Sequence, residues 1–578
     1  MARNDAPVLA RPPSETSGDT AMEEEDALLT GERTGKAAST RSTFKSRWRE
    51  YALFAWACMA TAAVIVLAVV YQHSQADPAT TRPSPDGKKN LIFMVSDGMG
   101  PTSLSLTRSW RQYVEGLHWD NTLVIDQHLI GQSRTRSSSS LVTDSAAGAT
   151  AFSCGQKSYN GAISVLPNFE PCGSVMEAAK RMGYTTGLVV TTRITDATPA
   201  VFASHVRKRI QEDEIALQMV GETHPLGRMV DLMIGGGRCH FLSNTTDGSC
   251  RGDDTDVVDL AQKAGWDYIS TRKEFDNLGS SVKLPLLGLF ASGDVPYEID
   301  RRSQNDVYPS LEETAKFALK ALSDASKDSE RGFFIMIEGS RIDHAGHAND
   351  PAAQVHEVLA YDRTMAAVLD FIKKAETPTL MVSTSDHETG GLATARQLHS
   401  TYPEYLWYPG VLANTSHSAS FAHHRFNAFL DATPAPSSAD IKHYLKDALA
   451  EDLGIHDVSS EEIDALTGSP EIAAYTFADM TSRRAQIGWS THGHSAADVN
   501  IYTSDPELAA DLRGTHENTE VGDFLSRFLG VEEEVDVVTK ELKEHMGKVS
   551  VEQWLGPVPD SAERLDGQDH LDHYHGDH

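Results

Sequence analysis

The chain has 578 residues, too many for one ordinary domain and too few for a large multidomain array. Hydrophobic residues make up 40% and charged residues 23%, so the chain can bury a sizeable core and global disorder is excluded. Asp and Glu number 82 against 51 Lys and Arg, a formal net charge of −31. A field of that sign repels phosphate backbones, so nucleic acid is not an expected partner. The 24 His in so acidic a chain point instead to carboxylates held beside cations.

Residues 1–50 are rich in Pro, Ser, Thr, Glu and Gly and read as a disordered tail. Within them Glu24-Glu25-Asp26-Ala27-Leu28-Leu29 resembles an acidic di-leucine sorting signal, read by adaptor coats that feed endosomes, lysosomes or vacuoles. From Tyr51 to Gln72 run 22 residues without a charge, and a helix needs about 20 to cross a bilayer core. Arg41, Lys45, Arg47 and Arg49 precede this run, which places residues 1–50 in the cytosol and 73–578 in the lumen. The expected topology is a type II signal anchor at 51–72, followed by a Pro-rich stalk at 73–89. A folded domain is expected over 90–540, with a C-terminal tail at 541–578 whose last residues, GQDHLDHYHGDH, read as solvated.

Four cysteines lie beyond the anchor, in a compartment that oxidises thiols. Of their three connectivities, local pairing suggests Cys154–Cys172 and Cys239–Cys250. Asn244-Thr245-Thr246 and Asn414-Thr415-Ser416 are glycosylation acceptors in such a compartment.

The domain reads as α/β with a largely parallel central sheet flanked by helices. Leu91–Val95 is a continuous apolar run that ends in Ser96-Asp97-Gly98, the pattern of a strand buried on both faces. Phe333–Ile337 ends in Glu338-Gly339, and Leu380–Thr384 ends in Ser385-Asp386-His387. Gly187–Val190 leads to Asp196, and Leu232–Ile234 runs into three glycines. Helical stretches at 173–182 and 352–373 separate these runs. In such sheets ligands bind beyond the carboxyl ends of the strands. One Asp after a strand is ordinarily a turn former. Three acidic endings at one edge would repel each other unless cations lay between them.

Two further clusters supply imidazole. Asp343 and His347, four apart in Glu338–His347, share a face if helical. Ser490-Thr491-His492-Gly493-His494 offers more. Mixed His and carboxylate sets with an open position suit Zn²⁺. Asp144-Ser145 stands before the small-residue helix Ala146–Ala151, where backbone N–H groups attract anions. Beside the metal ligands, Ser145 is a candidate nucleophile.

Six segments together resemble the alkaline phosphatase family: VSDGMG at 95–100, TDSAAGATA at 143–151, TDATPA at 195–200, IEGSRIDHAGH at 337–347, TSDHETGG at 384–391 and THGH at 491–494. The anchor and tail make the chain most similar to the fungal vacuolar, membrane-anchored members. The resemblance implies a first zinc held by Asp343, His347 and His492, and a second held by Asp97, Asp386 and His387 and meeting Ser145. It implies magnesium between Asp97, Thr198 and Glu338, with Asp196 orienting waters around that ion. His344 and Asp196 occupy positions that vary in the family. Arg209, 13 residues after Asp196, takes the place of the phosphate clamp, although Arg207 and Lys208 adjoin it.

The implied reaction is hydrolysis of phosphate monoesters through a phosphoserine, with broad specificity and an alkaline optimum. By the same analogy the chain is a homodimer in the vacuole membrane, with an insertion at about 392–489. The alternatives are a phosphodiesterase of the same superfamily and a catalytically silent, membrane-anchored binding protein.

Overall fold

The computed structural model describes residues 44–74, 87–279, 282–433, 436–561 and 563–564. The Glu24–Leu29 signal, most of the stalk and the His-rich terminus lie outside the described residues. The chain divides into two compact units, Met1–Thr81 and Arg82–His578. Among the described residues the first holds a 31-residue helix, Phe44–Ser74, which contains the whole uncharged run. Trp48, Tyr51, Leu53, Phe54, Trp56 and Met59 are exposed on it. Among the described residues no helix is long and apolar enough to cross a membrane; the side chains of this one are described at Trp48 and over 51–66.

The second unit is built on a ten-stranded sheet. In chain order the strands are β1 Asn90–Val95, β2 Leu129–Arg134, β3 Thr185–Arg193, β4 Leu232–Gly236, β5 Asp267–Ile269, β6 Leu286–Leu289, β7 Phe333–Glu338, β8 Thr379–Thr384, β9 Glu388–Thr389, β10 Ala393–Thr394, β11 Ile487–Gly488, β12 His494–Ser495, β13 Val499–Thr503 and β14 Gly514–Glu517. The sheet order is β14-β2-β13-β8-β1-β7-β3-β4-β6-β5, and β9 to β12 form two small ribbons outside it. From β8 to β5 all neighbours are parallel, while β13 runs antiparallel to β8 and β2.

This order makes β8, β1, β7 and β3 consecutive, so the expected ligand-bearing strands are neighbours. Their register is level: Val95 lies opposite both Thr384 and Glu338. The apolar runs follow from two-sided cover. Phe93 and Val95 pack with Phe152, Phe202 and Leu525 on one face. Ile92 and Met94 pack with Val358, Met365 and Val368 on the other. The helix Pro351–Lys374, capped by Asp350 with Pro at its start, and the helix Val175–Arg181, opened by a Ser174–Glu177 capping box, stand where the sequence placed them.

Within the expected insertion, the helices Ala419–Ala432, Ser438–Leu453, Ser460–Gly468 and Ala473–Ala485 surround a separate small core that includes Phe426, Leu445, Leu449 and Phe477. The C-terminal boundary is corrected. Residues 541–556, expected to lie in the C-terminal tail beyond the folded domain, continue the helix Glu532–Met546 and add Val551–Leu555. Leu542, Trp554 and Leu555 are buried there. Cys154–Cys172 and Cys239–Cys250 are both disulfides, so local pairing is the observed connectivity.

Candidate active site

Four acidic groups converge where the strands end. Asp97 follows β1, Glu338 closes β7, Asp386 follows β8, and Asp196 lies three residues beyond β3. Asp343 and His347 come from the helix Arg341–His347, with Asp343 buried. Gly98 lets that helix approach: its φ is +74°, and a Cβ there would stand 2.5 Å from the Asp343 Cα. Gly148 does the same for the helix Ser145–Cys154, where a Cβ would meet the Asp386 backbone oxygen at 3.3 Å.

Ser145 is the first residue of its helix, and Asp144 caps it by accepting from the Ala147 N–H at 3.0 Å. The Ser145 Oγ lies 3.1 Å from His387 Nε2. That nitrogen is also 3.2 Å from Asp386 Oδ2 and 3.5 Å from Asp97 Oδ1. Asp97 Oδ1, Asp386 Oδ2 and the Thr198 hydroxyl are buried without hydrogen-bond partners.

The electrostatics show strain. Burial, then Asp386, Asp343, Glu338 and Asp196, push the Asp97 carboxyl well above the usual carboxylate range. Burial takes Glu338 up to about 8 despite the bond it accepts from Ser340. Asp343 and Asp386 go down despite burial, because the first faces His347, His494 and His387 and the second faces His387.

Of the two histidines in the 490–494 turn, the structure brings His494 to this group. Its Nε2 is 3.1 Å from His347 Nε2 and 3.6 Å from Asp343 Oδ1. The His492 ring, named from the sequence as a zinc ligand, lies outside the group. It is exposed, packs edge-on against Tyr475 at 4.6 Å, and points Nδ1 at the His347 carbonyl. What His492 contributes is its own carbonyl, which accepts from His347 Nδ1. The two histidines are two apart in a Gly-containing turn, so spacing alone does not separate them. The distinguishing signal is that His494 enters the ribbon β12, paired with Thr389 of β9.

The residues present fit cations. His347 Nδ1 donates to the His492 carbonyl and His494 Nδ1 donates to the Thr143 carbonyl at 2.7 Å. When both rings are neutral, each Nε2 carries a lone pair and the two lone pairs face each other at 3.1 Å. Lone pairs, buried carboxylates and orphaned oxygens at this density suit divalent metal. Asp343, His387 and His494 form one compact ligand group, and Asp97, Asp386 and His387 another.

Arg209 sits at the rim with Nη2 2.9 Å from Asp196 Oδ1 and Nη1 3.4 Å from Asp144 Oδ2. Its basic neighbours turn elsewhere, Arg207 to the Gly556 carbonyl and Lys208 to Glu563. Asp196 is also held by Arg193 at 3.1 Å, and Arg193 reaches Glu212 and Asp294. His344 joins this network through Asp294 at 3.4 Å. Sequence reading missed Arg193, Asp294 and Thr389, since none stands in a strand-end pattern.

A second His-carboxylate group, Glu177, His205 and His224, is fully buried elsewhere. Protons explain it. His205 Nδ1 donates to the Ser164 carbonyl and its Nε2 to Glu177 at 2.9 Å, which makes an imidazolium paired with a carboxylate. The Leu226 N–H donates to His224 Nδ1, so His224 carries its hydrogen on Nε2, which lies 2.8 Å from Glu177.

A family described as alkaline phosphatase matches residues 88–531. The repressible alkaline phosphatase of Saccharomyces cerevisiae is 52% identical over 486 residues, which cover 80% of this chain and 85% of that protein. The structure of Thermus thermophilus alkaline phosphatase superposes with a TM-score of 0.65 at 27% identity, covering 81% of this chain and 98% of the other. A mutant alkaline phosphatase from the Antarctic bacterium TAB5, described with Mg bound in its M3 site, gives a TM-score of 0.53 at 27% identity over 77% of this chain and 98% of that one.

Proposed function

Since the chain belongs to the alkaline phosphatase family, we propose that it hydrolyses phosphate monoesters through a phosphoserine on Ser145, at two zinc ions and one magnesium. Asp343, His347 and His494 would hold the first zinc, His494 replacing His492 in the set read from the sequence. Asp97, Asp386 and His387 would hold the second. Magnesium would lie among Asp97, Thr198 and Glu338, a reading supported by the Mg-containing TAB5 relative. When bound, these ions supply the positive charge that clustered acids and phosphoryl oxygens require.

The chain's own groups then have defined tasks. Ser145 Oγ, at a helix N-terminus that favours anions, attacks phosphorus as its proton leaves. The departing alcohol oxygen takes up a proton. Water then displaces the Ser145 oxygen from the opposite side, so two inversions give retention at phosphorus. Arg209 offers a planar fork to two phosphoryl oxygens from its place between Asp196 and Asp144. Recognition of the phosphoryl group rather than the alcohol gives broad specificity, and an alkaline optimum follows from a deprotonated nucleophile.

The observation that carries this reading is Ser145 Oγ beside His387 Nε2, next to the orphaned oxygens of Asp97 and Asp386 at two adjacent strand ends. Metal analysis and turnover of Ser145→Ala test it together. The variant keeps its ions and loses nearly all hydrolysis of p-nitrophenyl phosphate; unchanged turnover removes Ser145 from the mechanism. A faster rate on the bis ester would favour a diesterase instead.

The 22-residue uncharged run inside the helix Phe44–Ser74 supports a single type II anchor, and the tail signal supports delivery to the vacuole membrane through an adaptor coat. Retention in the membrane pellet after carbonate extraction tests the anchor. Asn244 and Asn414 are exposed, as glycan acceptors must be. A homodimer is proposed by family analogy, and light scattering of the purified protein decides it.

A further inference from the structure

We propose that Thr389 is a positioning residue that locks ligands of both zinc sites into one frame and fixes the tautomer of His387; this rests on the two-zinc reading above. Thr389 is fully buried in the ribbon β9. Its Oγ1 lies 2.5 Å from Asp343 Oδ1 and 3.1 Å from His387 Nδ1. A hydroxyl has one hydrogen to give, and an ionised carboxylate can only accept. The hydrogen therefore goes to Asp343, and toward His387 the oxygen can only accept. His387 must then carry a proton on Nδ1, so that in the neutral, metal-binding form of the ring the Nε2 lone pair faces Ser145 Oγ, Asp97 and Asp386.

The same contact sets Asp343. With Oδ1 engaged by Thr389, Oδ2 is the oxygen turned toward His347 Nε2, 3.3 Å away. The backbone of Thr389 reaches the remaining ligand-bearing segments. Its N–H donates to the Gly98 carbonyl in the turn after Asp97, and it pairs across the ribbon with His494. One residue thus touches the turn of β1, the helix of Asp343, the imidazole of His387 and the strand of His494.

The side chain has two separable parts. The hydroxyl makes the bonds just described. The methyl packs at Gly346, where a Cβ would stand 2.9 Å from the Thr389 Cγ2. Thr389→Val keeps the packing shape and removes the hydroxyl, whereas Thr389→Ser keeps the hydroxyl and removes the methyl.

The test measures zinc affinity of the full-length chain by competition with a chromophoric chelator, and the visible absorption of the cobalt(II)-substituted protein. Thr389→Val is expected to weaken zinc binding by about 10–100-fold, the usual effect of removing an outer hydrogen bond to a ligand, and to alter the cobalt spectrum. Thr389→Ser is expected to retain wild-type affinity and spectrum. If Thr389→Val does not fold, Thr389→Ala removes the hydroxyl together with the methyl and carries the same expectation, with Thr389→Ser as the control for the lost methyl. The proposal is overturned if the hydroxyl-free variants match wild type in affinity and spectrum, or if Thr389→Ser loses zinc as they do. A wild-type chain that takes up neither zinc nor cobalt overturns the two-zinc reading itself, and with it this proposal.

Discussion

His347 Nε2 and His494 Nε2 face each other at 3.1 Å, each ring having given its Nδ1 hydrogen to a backbone carbonyl. Two lone pairs at that distance repel unless a cation or proton lies between them. The arrangement distinguishes the two histidines of the 490–494 turn. His494→Ala removes a ring nitrogen from the group and is expected to lose one zinc per chain together with most turnover. His492→Ala keeps the carbonyl that His347 needs and is expected to retain its zinc content. Metal analysis of the two variants side by side checks this, and the reverse result would restore His492 as the ligand.

How far the site could be read from sequence has a physical explanation. Asp97, Glu338 and Asp386 were legible because each ends a run such as Leu91–Val95, whose unbroken apolarity requires a strand covered on both faces. A parallel sheet then puts all such ends at one edge. Strand order was not legible. Nothing in the apolar runs says that β1 sits between β7 and β8, because their faces are equally hydrophobic. His494 was hidden because its neighbour in space is Thr389, 105 positions earlier, through a two-residue ribbon too short to leave a pattern. The folding of residues 541–556 was missed for a similar reason. Their charged sequence hides a few anchors, Leu542, Trp554 and Leu555, that pack on the body of the unit.

Removing metal should make stability fall as pH rises. Asp97 and Glu338 both have folded carboxyls pushed above the usual range, Glu338 to about 8. An acid whose folded pKa is raised binds more protons folded than unfolded. Its contribution is therefore present at low pH and is lost between about pH 4.3, the unfolded value for Glu, and the folded value. Each such proton costs about 1.4 kcal/mol per pH unit across that window. Chelator-treated protein is expected to show a Tm that declines from pH 5 to pH 8, while metal-loaded protein shows no such decline. Parallel curves would mean that cations do not replace these protons.

Gly98→Ala tests the close approach that brings Asp343 to Asp97. The φ of +74° costs a non-glycine residue about 1–2 kcal/mol, and the added Cβ would overlap the Asp343 backbone at 2.5 Å. Something must shift, and both neighbours of the overlap carry ligands. The expected outcome is a lower urea midpoint together with reduced zinc content. A variant that is destabilised yet binds zinc as wild type would show that the helix Arg341–His347 moves without disturbing the ligands.

The buried Glu177–His205 pair predicts a stability optimum bounded on both sides. Burial opposes charge on either partner, but the imidazolium holds the Glu177 carboxyl below its usual range and the carboxylate raises His205. For His205, whose folded pKa is raised, the contribution is complete below about pH 6.5 and disappears as pH rises through the folded value. For Glu177, whose folded pKa is depressed, it is complete above about pH 4.3 and disappears as pH falls through the folded value. His224 stays neutral, its pKa lowered by burial, and adds a neutral hydrogen bond in either regime. Glu177→Gln leaves the buried imidazolium uncompensated, a change that costs about 3–5 kcal/mol in comparable pairs. Over the range tested the loss should be largest at pH 6 and shrink as the medium becomes alkaline enough to deprotonate His205. Urea unfolding of wild type and variant from pH 6 to pH 10 measures it. A stability difference that does not change over that range would mean that His205 is neutral in the folded protein and that the group is held by hydrogen bonds alone.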